Sequence, residues 1–71
     1  MKEQWQIQKA REICRKLHIR YMIKFEHGVY ALYMYSRITT HYIRTCYCLL
    51  NYKDSETLEH DIKYYDGLFI C

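Results

Sequence analysis

Seventy-one residues make a single small domain, residues 1–71, that can bury only about 60% of its unfolded surface. An apolar fraction of 51%, no proline and only two glycines exclude intrinsic disorder and a low-complexity linker. The net charge of +3 joins a basic body to an acidic end: residues 1–53 carry ten Lys and Arg against three Glu, or +7, and residues 54–71 carry five acids against Lys63, or −4.

No run approaches the roughly 18 apolar residues that span a bilayer. The opening MKEQWQIQKAR is polar, unlike a signal peptide, so a cytoplasmic chain is expected. In that compartment Cys14, Cys46, Cys48 and Cys71 are expected as thiols or ligands rather than disulfides.

Residues 3–18 read as an amphipathic helix, with Ile7, Ala10, Ile13, Cys14 and Leu17 forming one apolar stripe. Trp5 lies off that stripe, either packed on a neighbouring edge or exposed as a partner anchor. From Ile19 the period changes to two, and Tyr21, Ile23 and Phe25 alternate with Met22, Lys24 and Glu26 as a half-buried strand. His27 and Gly28 make a two-residue hairpin turn, and Val29 to Ser36 returns. This register sets Phe25 opposite Tyr30, Ile23 opposite Leu32 and Tyr21 opposite Met34, all on one face.

A four-residue turn at 37–40 leads to a third strand over residues 41–50. Strict alternation puts Ile43, Thr45, Tyr47 and Leu49 on the core face and Tyr42, Arg44, Cys46 and Cys48 on the other. Asp54 or Ser55 caps a final helix with buried stripe Leu58, Ile62 and Tyr65. Gly67 fits the position just past its end, leaving Leu68, Phe69 and Ile70 as a docking apolar tail. The fold class is therefore α+β: an α-β-β-β-α chain whose three-stranded antiparallel meander packs with two helices.

No glycine-rich phosphate loop, nucleophile elbow or metalloprotease motif is present, and so short a chain has little room for a closed pocket, so binding rather than catalysis is expected. Cys14 and His18, four apart on a helix, with Cys46 and Cys48, two apart on a strand, form a candidate zinc set; His41 and Cys71 are spare ligands. The competing reading is inert buried thiols.

The outer sheet face would display Arg20, Lys24, Tyr33, Tyr35, Tyr42 and Arg44, a pattern suited to a nucleic acid strand or a protein partner. The element order resembles the double-stranded-RNA-binding domain, but the last helix opens with Asp54, Glu56 and Glu59 where that family carries lysines. A metal-stabilised homo-oligomer is a third reading.

Leu58, Glu59, His60, Asp61, Ile62 and Lys63, followed by Tyr64, Tyr65, Gly67 and Phe69, resemble the C-terminal helix of a phage anti-CRISPR protein directed at the single-protein, type II RNA-guided nuclease. The resemblance spans about twelve residues. It implies a non-enzymatic inhibitor that binds the effector nuclease and blocks nucleic-acid loading or cleavage. In that reading Asp54, Glu56, Glu59, Asp61 and Asp66 meet a basic surface, His60 is available for contact, and Trp5 and the tyrosines are apolar anchors.

Overall fold

A computed structural model describes residues 4–70, and side chains for residues 4–68. Helix α1 covers Trp5–Lys16, strands β1 to β3 cover Tyr21–Glu26, Val29–Ser36 and His41–Cys46, a 3-10 turn follows at Leu49–Asn51, and helix α2 covers Ser55–Ile70. The sheet is an antiparallel meander in the order β1-β2-β3, as the sequence predicts. Both helices cover the same face of it. Ala10, Ile13 and Cys14 of α1 and Leu58 and Ile62 of α2 meet Leu32, Met34 and Cys46 of the sheet in one core. Gln6 ties α1 to the segment before α2, its Nε2 donating to the carbonyls of Leu50 and Tyr52.

α1 stops at Lys16, two residues short of the expected end. The Ile19 N–H donates to the Cys14 carbonyl at 2.8 Å and the His18 N–H to that of Arg15 at 3.2 Å. This is a Schellman cap, with the buried pair Cys14 and Ile19 closing it. His18 takes the left-handed position, φ 57°, that glycine usually fills. His18→Gly is therefore expected to stabilise the domain by about 0.5–1 kcal/mol, seen as a higher urea midpoint at unchanged slope.

The first hairpin has the expected register, pairing Phe25 with Tyr30, Ile23 with Leu32 and Tyr21 with Met34. His27 and Gly28 both have positive φ, 52° and 79°, the requirement of a type I′ turn. The second turn holds residues 37–40, as expected, and Thr40 closes it by donating its N–H to the Ser36 carbonyl.

The third strand differs from strict alternation after Arg44. Tyr33 pairs with Arg44 but Leu32 pairs with Cys46, so Thr45 is an extra, bulged residue. Its hydroxyl donates to the Leu32 carbonyl at 3.3 Å. The bulge reverses the face of everything beyond it: Cys46 turns into the core at 2% exposure, and Tyr47 turns out at 41%. The strand ends at Cys46, not residue 50, because Cys48 adopts a left-handed conformation, φ 57°, and starts the 3-10 turn.

Asp54 caps α2, its Oδ1 accepting the Thr57 N–H at 2.7 Å. Leu58 and Ile62 are fully buried and Tyr65 packs on the core, as the stripe predicts. Gly67 does not end this helix, which runs through it to Ile70. A helical glycine costs about 1 kcal/mol, and with no proline after it nothing forces a stop. Leu68, read as part of a docking tail, is a half-exposed helical residue; the side chains of Phe69 and Ile70 lie outside the described residues.

Candidate macromolecule-binding face

The sheet face away from the helices gathers most of the candidate contact residues. β1 and β2 pair Met22 with Tyr33 and Lys24 with Ala31, and β2 and β3 pair Tyr33 with Arg44 and Tyr35 with Tyr42. The side-chain period of two in each strand puts all of these on the outer side. Lys24, Tyr42 and Arg44 are exposed there and Met22, Tyr33 and Tyr35 half-buried, whereas Ala31 is fully buried.

Three cations lie over three tyrosine rings on this face. The Arg20 guanidinium is 4.7 Å from the Tyr35 ring centre, the Lys24 ammonium 5.0 Å from Tyr33, and the Arg44 guanidinium 4.5 Å from Tyr47. Tyr35 and Tyr42 meet edge to face at 5.3 Å. Tyr33 donates its hydroxyl to Glu26 Oε1, and that bond to a carboxylate holds its phenol above the usual tyrosine value. Among the described residues Glu26 is the one acid on the face against Arg20, Lys24 and Arg44, so the field there is positive. Tyr47 continues the face into an open cleft of about 430 Å³, lined also by Cys48, Asn51, Tyr52, Lys53, Asp54 and Thr57.

Of the residues proposed from sequence for partner contact, the fold gathers Tyr33, Tyr35, Tyr42 and Arg44 here. Trp5 stands elsewhere, 42% exposed at the start of α1. Glu56, Glu59, His60 and Asp61 lie on α2, on the other side of the sheet. Tyr47 is the residue that alternation missed, and only the bulge at Thr45 brings it out.

Most of the acidic segment is engaged within the domain. Asp54 is the helix cap, Glu59 pairs with Lys63 at 2.9 Å, and Asp61 accepts the Tyr52 hydroxyl. Asp66 is half-buried, whereas Glu56 and His60 face outward. Hydrogen bonds from Thr57 lower the Asp54 carboxyl and the bond from Lys63 lowers that of Glu59. A folded-state pKa below the unfolded one adds stability that is complete above the unfolded value and lost as pH falls through the folded one. The melting temperature is thus expected to hold from pH 7 to about 5 and to fall below about pH 4, with a shallower acid limb in Asp54→Ala.

Of the candidate zinc set, the fold brings Cys14 and Cys46 together but leaves His18 and Cys48 away from them. Cys14 and Cys46 are buried in the core, where burial first, and then the neighbouring Cys46 and Asp66, push the Cys14 thiol up to about 12; burial likewise raises Cys46. Both behave as small apolar side chains at neutral pH. His18 lies beyond the end of α1, exposed, so the expected four-residue helical spacing to Cys14 is lost. Cys48 sits half-buried at the cleft, His41 is exposed, and Cys71 lies outside the described residues. Among the described residues no three His, Cys, Asp or Glu side chains converge where they could share an ion. No helix among them is long and apolar enough to cross a membrane.

No family model matches this chain, and neither a curated protein nor a solved structure matches it.

Proposed function

We propose that the protein is a binding domain that lays a single strand of nucleic acid across its open sheet face. The observation that carries this reading is the set of three cation–tyrosine pairs on the outer face of the sheet. An exposed cation–ring contact is worth about 0.5–1 kcal/mol, whereas a base stacked on an aromatic ring is worth about 1–3 kcal/mol. Exchange is thus favourable: Arg20, Lys24 and Arg44 swing to phosphates, and the rings of Tyr35, Tyr33 and Tyr47 become free for bases. Tyr42 supports Tyr35 from the side. Reading by stacking makes the binding tolerant of sequence.

The test is titration of a fluorescent single-stranded oligonucleotide at 50 and 200 mM salt. With three phosphates neutralised, affinity is expected to fall by about twentyfold between them. Undetectable binding at the lower salt would sink the reading.

A second reading is an inhibitor that binds a type II RNA-guided nuclease. Its support is the exposed pair Glu56 and His60 on α2, beside and within the segment that resembles an anti-CRISPR helix. It ranks lower because Asp54, Glu59 and Asp61, which an acidic binding surface would need, are already bonded inside the domain. A stoichiometric complex with the nuclease in native mass spectrometry, with no oligonucleotide binding, would bring it forward.

A further inference from the structure

The outer edge of β1 is the unfinished part of the sheet. Tyr35 donates its N–H to the Arg20 carbonyl, and the same register continues without a shift to Glu26 opposite Val29. In an antiparallel ladder the bonded residues alternate. Arg20, Met22, Lys24 and Glu26 therefore face β2, and Tyr21, Ile23 and Phe25 aim their N–H and C=O groups outward. Among the described residues no strand lies beyond them. The opposite edge, β3, carries the Thr45 bulge, a device that discourages pairing. β1 has no bulge, proline or glycine. Phe25 is 64% exposed at its end, in ring contact with Tyr30 but otherwise uncovered.

The strand is complementary to itself. Two copies of β1 related by a two-fold axis at Ile23 pair Tyr21 with Phe25 of the second copy and Ile23 with its counterpart, each an outward-bonding position on both strands. On the other side of the sheet Met22 then meets Lys24, and Arg20 meets Glu26, placing opposite charges across the new ladder. A shift of two residues that keeps the faces matched sets Lys24 against Glu26 but leaves Tyr21, Met22 and Ile23 without a strand partner. A shift of one places Lys24 against Lys24. The register centred on Ile23 alone uses the whole strand with opposite charges at both ends.

We infer that the free edge of β1 is a self-association site, joining two copies of this chain into a continuous six-stranded antiparallel sheet. The two outer faces then form one basic, tyrosine-lined strip, with the helices of both copies on the opposite side. The inference goes beyond nucleic-acid binding and does not depend on it.

Sedimentation equilibrium of the full chain, without nucleic acid, tests it. The expected result is a concentration-dependent mass approaching twice 8.9 kDa. Phe25→Pro removes an outward N–H and no bond to β2, so it should give a folded monomer by circular dichroism. Arg20→Glu should raise the dimer dissociation constant about tenfold by setting like charges opposite at both ends. Arg20→Glu combined with Glu26→Arg should restore it, an outcome that general destabilisation would not produce. A monomer at every concentration, a dimer indifferent to Phe25→Pro, or no rescue by the charge swap would each overturn the inference.

Discussion

Replacing Arg20, Lys24 and Arg44 together by glutamine is expected to abolish the salt-dependent part of single-strand binding while leaving the domain folded. Each is exposed and none belongs to the core cluster, so the substitutions remove charge and keep most of the aliphatic stem over the tyrosine rings. For single strands the logarithmic salt slope is about 0.7 per neutralised phosphate, so removing three cations flattens it by about 2. Tyr42→Ala acts through a different term. It removes the edge-to-face support of Tyr35, and is expected to weaken binding about 2- to 13-fold with the slope unchanged, given about 0.5–1.5 kcal/mol for such an aromatic pair. Anisotropy titrations across a salt series separate the two. If the glutamine variant binds with the parent's slope, the sheet face does not hold the phosphates.

Leu32→Ala is expected to be the most damaging single substitution to the fold. Leu32 is fully buried in the central strand, between Ile23 on β1 and Cys46 on β3, with both helices above it. Truncating a buried leucine costs about 2–5 kcal/mol through lost transfer energy and the cavity left behind. A domain of this size has roughly 4–11 kcal/mol in total. The melting temperature should drop by about 13–33 °C, and the variant is partly unfolded near room temperature if the parent lies at the low end. Ile38→Ala is the control: Ile38 is 63% exposed in the second turn, and its removal should change stability by less than about 0.5 kcal/mol. Equal destabilisation by the two would contradict the assigned core.

The α-β-β-β-α order, the first hairpin's register and the buried stripes of both helices are legible in the amino-acid sequence alone. Those signals are local. Ile7, Ala10, Ile13 and Cys14 recur at helical spacing, Tyr21 to Phe25 alternate, and His27-Gly28 permits the positive φ values that a two-residue turn demands. The same signals point to Tyr33, Tyr35, Tyr42 and Arg44 as one face, because a period of two and a four-residue second turn set their side of the sheet.

Everything beyond Arg44 depends on the folded whole. An extra residue in a ladder leaves no periodic trace, so the bulge at Thr45, the burial of Cys46 and the exposure of Tyr47 have no signal in composition or spacing. The fate of the acidic segment is likewise invisible: charge can be counted from a sequence, but that Asp61 meets Tyr52 and Glu59 meets Lys63 depends on how α2 lies against the rest. Cys14 and His18 keep their four-residue separation while the helix that would have aligned them ends at Lys16, because capping by Ile19 and its burial beside Cys14 outweigh one more turn. Local periodicity specifies the elements, and long-range packing chooses which of their charged and aromatic groups are left for a partner.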